Sequence, residues 1–566
     1  MQDNPFLPYI NVVLAFADSQ PDACACTFQK QGLDTAVSLT YLELKEKVVE
    51  RAAVLTEHNL GGKNAALVYP TSIDFVVNFL ACLLAGVVAV PLNLSRNRQQ
   101  LMRTLIVLKD ADVAAILTLE DTAEFISGVT DEIEPENKWL WLNEHSKKRN
   151  KGLTEFPATE PHQLAFIQYT SGSTSQPKGV MVSQSNIVDN QEAIKKACGH
   201  KQGLIAGGWL PQFHDMGLIG HMLQPLFLGG HYVFMPPLNF IQRPRRWLEL
   251  ISHYRIASSA SPNFGYEHCV KFITDREDLS GIDLSCWTVA LNGSEPVNAE
   301  TMELFSDRFE ANGFDEKSFF PCFGMAETTL FVSGGPVNTG VTCDELGSSQ
   351  LERGRLSRNS DGRKVNVVCC GMISPHFSVR IVNPATGVKC REDEVGEIWL
   401  GGPSIAQGYW GDEEKSKEVF SAVPIGDDRQ YMRTGDMGYV CDGSLFVTGR
   451  IKEMLIIRGR NIYPYDLERA CNSHPKSSGT AAIVVVSEDN NTHLQALVEL
   501  KKSALLKDDL SEISHEIKEL IAEAFEVTLQ KVHLLKPGTI PKTTSGKIKR
   551  TSCNALIDEL ALEKTN

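Results

Sequence analysis

The segment Tyr169-Thr-Ser-Gly-Ser-Thr-Ser-Gln-Pro-Lys178-Gly179 concentrates more chemistry than any other stretch of the chain. Hydroxyls on Thr170, Ser171, Ser173 and Thr174, a glycine at Gly172 that lets backbone N–H groups approach, and the Lys178 ammonium make a donor-rich cradle for polyphosphate oxygens. It is not a Walker A loop, which needs Gly-Lys-Ser/Thr, because Lys178 follows Pro177 and precedes Gly179. Standing alone, the segment could equally be a solvated Ser/Thr loop bonded to its own backbone. It does not stand alone: WLPQFHDMGLIG (209–220), LNGSEPV (291–297), PCFGMAETT (321–329), YMRTGDMGY (431–439), TGRIKEMLIIRGRNIYPYDLE (448–468) and PKTTSGKIKR (541–550) follow in order.

Elements able to position such residues are visible as pattern. The apolar runs AALVYP (65–70), VVAVPL (87–92), AFIQY (165–169), HYVFMP (231–236) and TVALNG (288–293) alternate with helical segments such as the one from Tyr41. This alternation predicts an α/β fold with mostly parallel sheets. Between 378 and 450, SVRIVNP, EVGEIWLGG and SLFVTGRIKE are short strands between Gly, Asn and Asp turns, an antiparallel β subdomain. Beyond Arg450 the order strand, strand, helix predicts a small separate domain, with a boundary near Arg450 to Glu453. The stretch 333–378 shows little sustained periodicity and reads as a long irregular segment, either functional or mobile, or else a plain surface insertion. The uncharged run from Phe75 to Ser95 is long enough to cross a bilayer, but Asn78, Gly86 and Pro91 divide it into a buried helix, a glycine stop and a buried strand.

The 566 residues correspond to roughly three or four domain-sized units, and 42% apolar with 22% charged residues is ordinary globular usage. Lys plus Arg is 55 and Asp plus Glu 70, so the formal charge is 55 − 70 = −15, which argues against nucleic acid as a partner. No Lys or Arg precedes Lys30, so the positive region of a secretory signal is missing, and no integral membrane segment is expected. The 14 cysteines include no C-x-x-C, and the chain has no H-E-x-x-H; scattered thiols fit a reduced, cytoplasmic protein.

In their order, the seven motifs resemble the ANL superfamily of adenylate-forming enzymes over nearly the whole chain. The resemblance implies a large N-terminal domain of parallel-rich α/β layers plus a β subdomain over 1–449, a hinge at 450–453 and a small mobile α+β lid over 454–566. It also implies ATP and Mg2+, with a carboxylate attacking the α-phosphate to give an acyl-adenylate and pyrophosphate. Residue by residue, the loop from Thr170 to Lys178 (Thr170, Ser171, Gly172, Ser173, Thr174, Lys178) matches the family's phosphate loop, and Glu327 matches the acid that binds magnesium near Thr174. Asp436 matches the carboxylate that accepts the ribose hydroxyls and Arg450 an arginine beside it, although an RTGD alone could be an Asx-turn. Asn292, Gly293 and Ser294 match the strand end lining adenine, Phe323 the stacking aromatic, and Gly324, Met325 and Ala326 the turn leading to Glu327. His214 matches a residue at the mouth of the acyl pocket, Lys452 the hinge residue, and Lys547 the lysine that bridges carboxylate and α-phosphate when the lid closes.

Within the superfamily, Ala326 in GMAE, the phrase RGRNIYP, and ETTLFVSGG followed by the insertion at about 333–378 resemble the fatty acyl-AMP ligases. That resemblance implies a fatty acid substrate and transfer to the phosphopantetheine thiol of an acyl carrier protein or a polyketide or peptide synthase. A long-chain acyl-CoA synthetase and a catalytically silent acyl-adenylate or nucleotide sensor are the alternatives. Between Val527 and Ile557, Lys531, Lys536, Lys542, Lys547, Lys549 and Arg550 stand without an acid, a face that would either dock an acidic carrier protein or solvate the surroundings of Lys547. The role implied for Lys547 predicts that Lys547→Ala abolishes carboxylate-dependent ATP–pyrophosphate exchange while equilibrium ATP binding persists; near-normal exchange would overturn that role.

Overall fold

In a computed structural model, the described residues are 6–33, 35–93, 98–133, 139–147, 155–170, 177–274, 277–359, 362–457, 460–488, 491–542 and 548–562. The long uncharged run folds as the helix Ile73–Ala85, which Ser72 caps by accepting from Phe75 N–H and which Gly86 ends at φ 65°. The strand Val88–Asn93 follows, paired in parallel with Asn64–Tyr69. Only glycine adopts that left-handed stop without strain, so the apolar stretch turns back into the core. Among the described residues no helix is long and apolar enough to cross a membrane.

Two sheets build the main body. A six-stranded sheet carries Asn64–Tyr69 and Val88–Asn93 at its centre, and ends on the antiparallel pair Leu164–Thr170 and Lys178–Ser183. A larger, 14-stranded sheet has a parallel centre through Cys24–Gln29, His231–Phe234, Ile205–Gly208, Ser258–Ser261, Val289–Asn292 and Phe319–Gly324. The apolar runs read from the sequence therefore lie on strands, and their near-continuous hydrophobicity follows from burial on both faces. The sheet continues into the antiparallel strands Ser378–Val382, Gly396–Gly401, Met432–Cys441 and Ser444–Arg450, the β subdomain expected between 378 and 450.

The stretch 333–378 departs from the irregular segment expected there. Cys343–Gly347 pairs antiparallel with Lys364–Ile373, a short helix Ser348–Leu351 lies between them, and Lys364–Ile373 joins the large sheet through Cys369↔Phe446. The strands were hidden because Cys343–Gly347 carries one large apolar residue, Leu346, beside the exposed Cys343 and Glu345, and because a left-handed Gly371 (φ 76°) breaks the period-2 pattern.

After Arg450 comes a three-stranded sheet, Ser477–Glu488, Asn491–Leu500 and Leu529–Leu535, covered by the helices Pro464–Ser473 and Leu510–Phe525. It has its own core around Leu467, Ile483, Val498, Ile517 and Ile521. In the main body an aromatic cluster supports the WLPQFHDMG segment: Trp209 stacks on Phe240 at 4.1 Å and meets Trp247 edge-on.

Buried histidines give this core a pH dependence. His221 is 3% exposed, and its Nε2 accepts the Ala260 N–H at 2.8 Å. Burial pushes its pKa down to about 3, and that of His200 to about 4. Both are neutral in the fold but titrate near 6.5 when unfolded, so the stability they carry is present above that value and lost as pH falls toward the folded pKa values. Urea unfolding between pH 7.5 and 4.5 should show that loss, and His221→Gln should reduce the acid-side slope by about 1.4 kcal/mol per pH unit; an unchanged slope would contradict it.

Candidate active site

The strands Leu164–Thr170 and Lys178–Ser183 pair in register Thr170↔Lys178, so the motif's two ends are adjacent. Ser171, Gly172, Ser173 and Thr174 lie outside the described residues. At the described end, Lys178 Nζ sits 4.9 Å from the centre of the Tyr409 ring. Burial lowers the Lys178 pKa, and the neighbouring cations Lys452 and Lys415 lower it further. The Tyr409 hydroxyl donates to Glu327 Oε1 at 3.0 Å. Burial raises the Glu327 carboxyl above the ordinary range, against the opposing pull of its own backbone N–H, Tyr409 and Arg450.

Backbone constraints explain why GMAETT presents Glu327 there. A Cβ at Gly324 would lie 1.9 Å from Leu330 O, and Met325 N–H donates to that same carbonyl at 2.9 Å. The loop thus closes on itself, Ala326–Thr328 forms a single 3-10 turn, and the left-handed Thr329 (φ 67°) is held by its hydroxyl donating to Ser404 O at 2.8 Å.

Asp436 and Arg450 face each other on the antiparallel strands Met432–Cys441 and Ser444–Arg450, with Arg450 Nε donating to Asp436 Oδ1 at 3.0 Å. The Asp436 side chain is 5% exposed and the Arg450 side chain 58%, so the pair offers a guanidinium toward solvent from a fixed carboxylate. Asp436 raises the Arg450 pKa and keeps it charged. Sequence reasoning missed what anchors this turn. Glu397, 2% exposed, accepts from Arg433 (2.8 Å), Gly435 N–H (3.1 Å) and Trp399 Nε1 (2.9 Å). An isolated Glu in GEIWLGG carries no signal of that burial, whereas the glycine at Gly435 (φ 73°) marks the turn itself.

Asn292 ends the strand Val289–Asn292 and is fully buried. Its Nδ2 donates to Asn263 Oδ1 at 3.2 Å, and its Oδ1 has no partner among the described residues. Gly293 admits no side chain, because a Cβ would be 2.8 Å from Cys322 O, and Ser294 is left-handed at φ 72°. Asn292 pairs with Pro321 in the next parallel strand, which leads to the half-buried Phe323. These are carboxyl ends of parallel strands, where open α/β sheets bind ligands. His214 Nδ1 lies 2.6 Å from Asp215 Oδ1 just before the π-helix Met216–Leu223, and the Gln168 amide donates to Phe213 O at 2.9 Å, linking this loop to the Lys178 strand pair.

Lys452 lies in the 3-10 turn Ile451–Glu453. Glu453 meets Arg550 at 3.4 Å, and Arg550 bonds the buried Glu468 at 2.8 Å, tying the start of the last helix to the linker. Lys547 lies outside the described residues; its flanks Lys542 and Ile548 form an isolated bridge. Tyr409 thus joins Lys178 to Glu327 and Arg450 pairs with Asp436, while the charge of Arg450 favours the ionised Glu327 and Asp215, the neighbour of His214, opposes it. Among the described residues no three His, Cys, Asp or Glu side chains converge as a metal cage.

Comparison with known proteins decides the family. The AMP-binding enzyme family matches residues 14–410, and the AMP-binding enzyme C-terminal domain matches 459–552. The medium-chain fatty acid–acyl-carrier-protein ligase JamA of Moorena producens is 38% identical over 554 residues, 95% of this chain and 93% of that protein. The long-chain fatty acid–AMP ligase FadD26 of Mycobacterium marinum is 33% identical over 560 residues, 95% of each. The chain belongs to the fatty acyl-AMP ligases of the AMP-binding enzyme family. A solved fatty acyl-adenylate ligase of L. pneumophila, in complex with acyl adenylate and pyrophosphate, is 32% identical, with a TM-score of 0.76 over 97% of this chain and 96% of that one. This fatty acyl-AMP ligase shares their fold, a large N-terminal and a small C-terminal domain, and is an adenylate-forming ligase.

The anchoring of the RTGD turn is directly testable. Glu397→Ala leaves Arg433, Gly435 N–H and Trp399 without their acceptor, and should lower the unfolding free energy by about 3 kcal/mol in urea titrations; a loss below about 1 kcal/mol would contradict this account.

Proposed function

We propose that the enzyme activates a fatty acid with ATP and passes the acyl group to the phosphopantetheine thiol of an acyl carrier protein, free or part of a polyketide or peptide synthase. The observation that carries this reading is the linkage of Lys178 to Glu327 through Tyr409, with the Arg450–Asp436 pair beside it in charge coupling to Glu327, in a chain 38% identical to an acyl-carrier-protein ligase. A carboxylate oxygen of the fatty acid attacks the α-phosphorus, the bond to the β-phosphate oxygen breaks, and pyrophosphate leaves. In the second step the thiol sulfur attacks the acyl carbon, the bond to AMP breaks, and the thiol proton leaves to solvent or a base.

Each residue has a task suited to its chemistry. Lys178, with Thr170, Ser171, Gly172, Ser173 and Thr174, holds β- and γ-phosphate oxygens and makes pyrophosphate a better leaving group. Asp436, an acceptor only, takes the ribose hydroxyls, and Arg450 beside it donates to the same carboxylate. Asn292, Gly293, Ser294 and Phe323 line the adenine, with Gly324, Met325 and Ala326 completing that wall. The buried Asn292 Oδ1 supplies the unsatisfied acceptor that an amino group of a base would meet. Mg2+, held by Glu327 and Thr174 with phosphate oxygens, would neutralise charge on the triphosphate, a coordination that needs few protein ligands. His214 guards the acyl and thiol approach, and Lys547 arrives with the lid to bridge carboxylate and α-phosphate. The lid turns about Lys452. Fourteen unpaired cysteines suit a reducing compartment, the cytoplasm.

Preference for a carrier protein over free CoA rests on the segment 333–378. Glu352 bonds Arg460 at 3.1 Å and its carbonyl accepts Asn461 N–H at 2.7 Å, while the Arg363 guanidinium stacks 4.0 Å from the Phe525 ring and bonds Ala524 O. These contacts hold the small domain and oppose the rotation needed for the second step. Thioester formation measured with free CoA and with a phosphopantetheinylated carrier should favour the carrier at least ~10-fold, and Glu352→Ala with Arg363→Ala should raise the CoA rate. Robust CoA turnover by the unsubstituted enzyme would sink this preference.

A further inference from the structure

Between the β subdomain and the six-stranded sheet runs a strap, residues 406–410. It is laced to both halves of the phosphate site by its backbone. Ala406 N–H donates to Glu327 O at 2.9 Å, Gln407 N–H to Met181 O at 2.9 Å, and Trp410 N–H to Gly179 O at 2.7 Å. In return Met181 N–H donates to Gly408 O at 2.9 Å. Gly408 is left-handed at φ 136°, and a Cβ there would meet Ser416 Oγ at 2.8 Å, so no other residue makes this crossing without strain. Ser416 Oγ accepts Tyr409 N–H at 2.8 Å, and Trp410 Nε1 donates to Asp110 O at 3.1 Å.

The strap places a buried aromatic side chain between Lys178 and Glu327. Tyr409 is 7% exposed, its hydroxyl donates to Glu327 Oε1 at 3.0 Å, and its ring face holds Lys178 Nζ at 4.9 Å. Without such a partner a flexible lysine and a carboxylate in the same cleft would pair with each other, and each would be turned from the ligand. The aromatic ring gives the ammonium a cation–π seat, and the hydroxyl occupies one carboxylate oxygen while leaving the other available.

We infer that Tyr409 is a positioning residue that fixes Glu327 and Lys178 in one frame, so that the carboxylate and the ammonium address the same triphosphate from separate sides. This rests on the reading of Glu327 and Lys178 given above. The hydroxyl serves the metal-facing carboxylate and the ring serves the lysine, so the two functions separate by substitution.

Calorimetric titration of the full-length enzyme with ATP, without fatty acid, is carried out in Mg2+ and again in EDTA. Tyr409→Phe keeps the ring and should weaken binding roughly tenfold in Mg2+ while leaving the EDTA value unchanged. Tyr409→Leu should weaken both. A merely structural tyrosine would move the two conditions together, and equal losses in Tyr409→Phe would overturn the inference. So would parent-like Mg2+–ATP affinity in Tyr409→Phe when Glu327→Gln loses its Mg2+-dependent gain, leaving the site reading intact. If Glu327→Gln also retains that gain, the metal role of Glu327 fails, and the inference with it.

Discussion

A fatty acid carboxylate and a nucleotide triphosphate are both anions, and their approach is opposed by Coulomb repulsion that only fixed positive charge can offset. The protein as a whole makes this worse, with a formal charge of −15. What the fold supplies is local and rigid. Lys178 is seated on a buried ring, and Arg450 is locked to Asp436 across two antiparallel strands. The same frame fixes the acids: Glu327 stands on a closed turn, and Asp436 follows a turn whose donors converge on the buried Glu397. In the proposed mechanism, preorganisation of this kind costs no rearrangement at the moment of reaction.

The linker after Arg450 is anchored as well. The strand Ser444–Arg450 ends at the residue that bonds Asp436, and the next turn carries Lys452 and Glu453. Glu453 is tied to Arg550, and Arg550 to Glu468, so the small domain's last helix is coupled to the linker itself. Opposite the linker, Glu352 and Arg363 reach from the inserted strands to Arg460, Asn461 and Phe525. The small domain is therefore tied both to the linker and to the inserted segment, and in the proposed mechanism the balance between these contacts governs which half-reaction is favoured.

Much of this was legible in the residues. The parallel strands announced themselves as β-branched runs because they are buried on both faces, and Gly86 marked its helix end because a left-handed stop admits little else. The seven motifs pointed to the family, and two of the residues they single out, Asp436 and Arg450, face each other across paired strands. The inserted strands were not legible, because the exposed face of Cys343–Gly347 and the kink at Gly371 erase the alternation that betrays a strand. Glu397 and Tyr409 were missed for a different reason. Their importance lies in contacts 36 and 82 residues away in sequence, with Arg433 and Glu327, and no local pattern encodes such a pairing.

The most direct test of the central claim follows oxygen atoms. A fatty acid labelled with 18O in both carboxyl oxygens, incubated with ATP, Mg2+ and a phosphopantetheinylated carrier, should yield AMP carrying a single 18O on its phosphate, because the attacking oxygen remains with phosphorus when the thiol takes the acyl carbon. Unlabelled AMP, or release of ADP in its place, would contradict attack of the carboxylate on the α-phosphorus and with it the account of this cleft.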